Sequence, residues 1–446
     1  MQKDLTQGSV LRTIVVFAFP FLISYFLQTL YGLADLFIIG QFEGAASITA
    51  VSVGSQVMHM LTVIIVALAM GATVLIGRAV GAHDSVKLAK TVGNTITLFM
   101  TLSLILTVIL LLLVKPIVSL MFTPVESVAQ TETYLYICFA GIPFITAYNI
   151  ICSVFRGMGD SKSPMYFIAV ACVFNILLDY VFIGLFEMQA AGAALATVIA
   201  QTFSVVTALI YVSKKKMGFH LVSGDFKPQK SLIVHILKIG VPISLQDAFI
   251  QMSFLVIAMI ANTRGVDVAA AVGIVEKVIG ILFLIPSSML ASVSAIAAQN
   301  VGAGCHDRAR KTLKYGIGFC VGSGVFFAVL CQFIPEGIVA LFTDDPEVII
   351  FGGQYLMAYA VDCIFAGVHF CFSGFFCAYG YSLISFIHNA ISAVFVRIPG
   401  TYLASVCFPD TLYPMGWAAP LGSILSVGIC IGFYIWFMKK KKDIAI

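Results

Sequence analysis

Long apolar runs, separated by short polar or basic stretches, fill this chain from residue 14 to residue 438. They fall at 14–39, 46–76, 91–114, 131–153, 164–186, 190–212, 232–261, 268–297, 313–333, 348–376, 382–407 and 415–438. Each run has the length a helix needs to cross the hydrocarbon of a bilayer, about 20 residues. Peptide groups in lipid find no water to bond, so every run is predicted to be helical. The pattern therefore predicts an all-α membrane protein of twelve transmembrane helices.

The pattern also repeats. A shift of about 221 positions sets Pro20 opposite Pro242, and Val80-Gly81-Ala82 opposite Val301-Gly302-Ala303. The same shift aligns Lys90-Thr91 with Lys311-Thr312, Phe122-Thr123 with Phe342-Thr343, Glu126 with Glu347, and Tyr134-Leu135 with Tyr355-Leu356. The reading is two pseudo-symmetric six-helix bundles around a central cavity: an N-terminal lobe over 1–212, a linker over 213–231 and a C-terminal lobe over 232–446. Six spans per lobe is an even number, so both lobes enter from the same side and the repeats are parallel.

Composition removes the soluble alternative. Of 446 residues 60% are hydrophobic and 10% charged, against about a quarter charged in soluble domains. No cleavable leader is visible ahead of the first run. Basic residues set an orientation. With the N-terminus in the cytoplasm, 21 of the 25 Lys and Arg fall on the inner side, among them Lys3, Lys214, Lys215, Lys216 and Lys439 to Lys442. Only Lys115 and Arg264 fall outside, while Lys277 and Arg397 lie within spans. Both termini are then cytoplasmic, with residues 213–231 as an inner linker, and the acidic stretch Asp344-Asp345-Pro346-Glu347 is outside. The eleven cysteines include no CxxC pair, and most lie within apolar runs as small core side chains.

The chemistry is in the ionisable groups inside the spans. A charge at bilayer depth costs about 2.5–3.5 kcal/mol on the lowest scales, so such groups are paired, neutralised or functional. The first half holds Asp35 and Asp179, with His59 as the one nearby basic candidate; the second holds Asp247, Glu276 and Asp362 together with Lys277 and Arg397. The first half therefore has acids without fixed partners. Asn175 lies one helical turn before Asp179, on the same face. Asp35, Asn175, Asp179 and Thr197 all fall in the outer half of the bilayer, where two carboxylates with an amide and a hydroxyl can hold a proton or coordinate Na⁺ through oxygens. The structural alternative is that each aspartate only hydrogen-bonds a neighbouring helix. Glu276 and Asp362 are expected to pair with Lys277 or Arg397. Gln28, Tyr31, Asn149, Gln246, Asp247 and Gln251 either line the cavity or bond helix to helix. Pro20 and Pro242 are hinge candidates. Gly318 and Gly322 form a GxxxG expected to bring helices close. Arg156-Gly157-Met158-Gly159-Asp160 reads as a loop, not a nucleotide cradle. No enzyme signature stands out, so an enzyme is not expected. No cofactor is expected beyond the coupling ion, and no metal beyond Na⁺ at Asp35 and Asp179 if Na⁺ is that ion.

Several stretches resemble the multidrug and toxic compound extrusion (MATE) family. They are Pro20 to Gln28, Asp35 to Gly40, Gly77-Arg78-Ala79-Val80-Gly81-Ala82, Arg156 to Asp160 with Pro164, Asn175-Ile176-Leu177-Leu178-Asp179, and Gly192 to Thr197. The resemblance covers essentially the whole chain. It implies two bundles of six, alternating outward- and inward-open states, and export driven by H⁺ or Na⁺. It also implies that Asp35, Asn175, Asp179 and Thr197 match the family's N-lobe ion site. There is a departure: the family's Na⁺-coupled branch has an acid near where Ile250 and Gln251 stand here, and Asp247 and Asp362 each lie about one turn from that branch's acids.

The expected function is export of cationic or amphiphilic small molecules by antiport with H⁺ or Na⁺, across a cell membrane, by a monomer without nucleic-acid partners. The lipid bilayer is its surroundings. A flippase for lipid-linked precursors would need basic residues for phosphates where these spans offer mainly acids. An ion channel, the rival from another class, would show unsaturable downhill conductance.

Overall fold

A computed structural model describes residues 4–214 and 218–444 of the chain, with side chains through Lys440. Lys3, Lys215 and Lys216, which contribute to the basic bias, lie outside these residues, as do the side chains of Lys441 and Lys442. The described residues form helices joined by short turns, with no strand among them. Ten helices are long and apolar enough to cross a membrane, and two bent pairs bring the count to twelve.

The first three spans are Val10–Phe42, Ala45–Gly81 and Ser85–Leu120. The fourth is the pair Val125–Ala140 and Ile142–Gly157, bent by 48°, and the fifth and sixth are Lys162–Leu185 and Gln189–Lys214. The second half repeats the plan with Lys230–Asn262, Val266–Gly302 and His306–Phe333. The pair Pro346–Tyr359 and Asp362–Ala378 follows, bent by 44°, and then Ser382–Cys407 and Tyr413–Lys440. All twelve predicted runs are helical. The helices extend past the apolar runs because local caps, not hydropathy, end them. The third starts at Asp84, whose side chain accepts from the Lys87 N–H at 2.9 Å. The tenth starts at Asp345, which accepts from the Glu347 and Val348 N–H groups, with Pro346 in the first turn.

Breaks in the spans fall away from the prolines singled out from sequence. The first and seventh spans run unbroken through Pro20 and Pro242. The fourth breaks instead at Gly141, just ahead of Pro143, whose ring supplies no N–H to the ladder. The tenth breaks at residues 360–361 without a proline, where the chain tightens into i→i+3 bonds from Cys363 to Ala360 and from Ile364 to Val361. The fifth and eleventh spans share a second irregularity, a π-helical turn at Tyr180–Leu185 and at Ala393–Arg397. Arg156 to Asp160 ends one helix and starts the next. Asp160 accepts from the Lys162 and Ser163 N–H groups and the Ser163 hydroxyl, so its carboxylate is a cap, as a loop reading requires.

Contacts divide the chain into two compact units. The first is built on Phe19–Gly240 and the second on Val241–Val301 and the chain from Cys305, with Gly8–Ala18 added to the second unit and Gly302–Gly304 to the first. In the first unit, the start of the seventh helix lies directly on the second. Gly71 is so close to the Ile236 carbonyl, and Gly240 to that of Leu68, that a Cβ at either would stand under 2.5 Å from the oxygen. The linker is also held there. Asn94 donates to the Asp225 carbonyl at 3.1 Å and accepts from the Gln229 N–H at 2.6 Å.

In the second unit the ninth and tenth helices pack through Gly316, Cys320 and Gly324 against Cys363, Gly367 and Cys371. A methyl group placed on Gly318 or Gly322 would meet nothing within 4 Å, and both glycines are exposed. The expected GxxxG contact is therefore corrected. The packing stripe is displaced by two residues, and two residues turn a helix about 200°, onto the opposite face.

Candidate functional site

Asp35, three quarters along the first helix, is 3% exposed. Ile38 and Ile39, one turn on, join Tyr134, Leu135, Cys138, Ala193 and Ala194 in an aliphatic core. This low-dielectric wall brings the polar side chains of other helices together. The Thr197 hydroxyl donates to Asp35 Oδ2 at 3.5 Å, from the sixth helix. The fifth helix brings Asn175 and Asp179, both buried, side chain to side chain with Asp35. Tyr31, one turn before Asp35, faces both carboxyls and Gln201.

The cluster is under-bonded. Asp35 Oδ1, both Asp179 oxygens, both polar atoms of the Asn175 amide and Gln201 Oε1 are buried without hydrogen-bond partners. Among the described residues no ion pair joins either aspartate to a base. His59 is exposed on its helix. Two buried carboxyls facing each other cannot both stay charged without a cation supplied from elsewhere. Asp179 is the last α-helical residue before the π turn at Tyr180–Leu185, a distortion that recurs at functional positions.

The four residues named from sequence are thus brought together. The sequence reading missed Gln201, and also Tyr134 and Cys138, which stand near Asp35 from the fourth span. Gln201 follows Thr197 by four residues and so shares its face, which is the signal that could have found it. Tyr134 and Cys138 carried none beyond their own spacing of four.

The other candidates are spread more widely. Asn149 is buried and spends its amide on the Ile145 carbonyl of its own helix, at 2.8 Å. Gln28 and Tyr31 are half-buried in the first unit. Gln246, buried, donates weakly to Asp247 at 3.4 Å, and Asp247 and Gln251 are half-buried in the second unit. Asp362 takes Arg397 at 3.7 Å, and Glu276 keeps Oε1 without a partner while Lys277 lies exposed. Of the two bases expected for these acids, Arg397 is the one that Asp362 meets.

A chain of twelve apolar helices in two repeated halves is a multi-pass membrane protein. It belongs to the MatE family: the family's sequence profile matches residues 20–181 and again residues 242–403. Both ends of the match move by the same 222 positions, which is the internal repeat read from the residues. The chain is 30% identical over 402 residues to the probable multidrug resistance protein YpnP of Bacillus subtilis (strain 168), covering 90% of each chain. It is 26% identical to the multidrug export protein MepA of Staphylococcus haemolyticus (strain JCSC1435), covering 84% of this chain and 82% of that one. A crystal structure of a MATE protein in the bent conformation has the same fold, with a TM-score of 0.90 at 21% identity over 99% of this chain and 98% of that one.

Proposed function

We propose that this transporter exports organic cations or amphiphilic compounds by antiport with H⁺ or Na⁺, and that Asp35 and Asp179 are where the coupling ion acts. One observation carries the reading: two buried carboxyls meet in an aliphatic core without a fixed cation. Asn175 and Thr197 add the amide and hydroxyl that would complete an oxygen-rich site for H⁺ or Na⁺. Ionised acids favour the state that holds a cationic substrate, and an incoming ion neutralises them and weakens that hold. The membrane potential adds about 2.3 kcal/mol per charge per 100 mV. The acids must be reached from one side at a time, because a path open to both would dissipate the gradient. The names of the relatives, multidrug resistance and multidrug export proteins, support the outward direction. The basic residues favour cytoplasmic termini.

The test is transport of fluorescent cations by the purified chain in proteoliposomes, with a proton gradient and a sodium gradient imposed separately. Efflux driven by one of them is expected. Movement indifferent to both gradients would remove antiport from the reading.

A further inference from the structure

The repeat sets two polar clusters at matching places and gives them opposite character. One step of 222 positions carries Asn175, beside the unpaired acids of the first half, to Arg397 in the second. Arg397 closes the π turn of the eleventh helix as Asp179 precedes that of the fifth. Its guanidinium donates to the Tyr359 hydroxyl at 2.6 Å and lies over the rings of Phe254, at 5.2 Å, and Tyr359, at 5.7 Å. Asp362, 1% exposed, stands 3.7 Å from it, and neither of its carboxylate oxygens makes a hydrogen bond among the described residues, so Arg397 is its one charged partner there. Asp362 is also the first residue of the half-helix Asp362–Ala378 that follows the break in the tenth span. A helix N-terminus favours a negative charge. Two separate positive influences, one ionic and one dipolar, therefore converge on this carboxylate.

We propose that Arg397 is a tethered counter-ion that holds Asp362 ionised through the transport cycle, so that the second half takes up no coupling cation at this place. The proposal rests on the reading of Asp35 and Asp179 as the place where the coupling ion acts, and extends it by assigning the other half a fixed cation. The remaining groups around Asp362 fit it. Glu276 and Tyr355 face the cluster from the eighth helix and from the tenth ahead of its break. Cys363 and His369 follow on Asp362's own half-helix. Ser423 faces it from the twelfth helix and meets His369 at 3.4 Å. Arg397 is the one group among these that carries a permanent positive charge. Aromatic faces on two elements fix its position, which a mobile ion would not need.

The test reads protonation directly and does not depend on transport. Full-length protein labelled with ¹³C-aspartate is titrated from about pH 9 to pH 5, and protonated aspartate is counted from its carboxylic C=O stretch. The wild type and the paired neutral variant Asp362→Asn/Arg397→Gln should show the same count. Arg397→Gln alone should show one aspartate more, because Asp362 then has to take up a proton. A wild-type count one higher than that of the paired variant would overturn the proposal, and so would an Arg397→Gln count equal to wild type. The first comparison decides the question even if Arg397→Gln alone does not fold. A chain that transports nothing but shows the expected counts would sink the antiport reading and leave Arg397's role standing.

Discussion

Asn175 and Arg397 stand one repeat apart, and the difference between them separates two ways of keeping a carboxyl inside a membrane. In the first half the acids have oxygen and amide neighbours and no base, so charge balance has to come from outside. In the second half an arginine supplies it from within. Buried pairs of this kind are costly to break, because removing one partner leaves an uncompensated charge. The first arrangement suits a group that must change state, and the second suits one that must not.

The contrast can be broken at several points. Asp35→Asn should have the largest effect: gradient-driven efflux falls to background, by about 100-fold or more if ion coupling is lost entirely, while the folded protein is still recovered. Wild-type efflux from that variant would take Asp35 out of the mechanism. Asn175→Arg copies the second half's solution into the first. It should lower coupled efflux by at least about tenfold without lowering the melting temperature, since the new cation meets two acids that lack one. A destabilised but fully active Asn175→Arg protein would show that the two places are not alike. Tyr359→Phe removes a hydrogen bond to a charged group and should cost about 1.5–3 kcal/mol of stability, read by thermal unfolding in detergent, with the choice of coupling ion unchanged. Thr197→Val should have the smallest effect. Its 3.5 Å bond to Asp35 is long, and side-chain bonds between membrane helices average about 0.6 kcal/mol. A shift of about threefold in the ion concentration for half-maximal transport is expected.

Much of this architecture could be read from the residues. Uninterrupted apolar runs in a chain with few charges leave helices as the available structure, and the basic loops and repeated motifs counted and paired them. The acidic cluster was legible for a similar reason. Asp35 and Asp179 are expensive where they stand, and Asn175 and Thr197 fall on predictable faces. Spacing alone could not show where helices bend. The spans that break do so at Gly141 and at residues 360–361, where tight backbone turns decide the outcome and the sequence carried no signal. Nor could it choose between two glycine stripes on one helix. Gly316 and Gly324 had the same claim as Gly318 and Gly322 until the tenth helix's partner face was known. The pairing of Asp362 with Arg397 was foreseen only as one of two options, because Lys277 offers the same charge one residue from Glu276.

The π turns at Tyr180–Leu185 and Ala393–Arg397 have a consequence for how such a gene can vary in length. A π turn holds one residue more than the α-helix it interrupts, and each residue rotates a helix by about 100°. Deleting one codon inside either segment would let the helix relax to regular geometry, with side chains on both sides still facing their neighbours. The same deletion two turns earlier would swing Asp179 or Arg397 off its cluster. Single-codon losses should therefore be tolerated inside these short stretches, Arg397 itself excepted, and not in the helices that flank them.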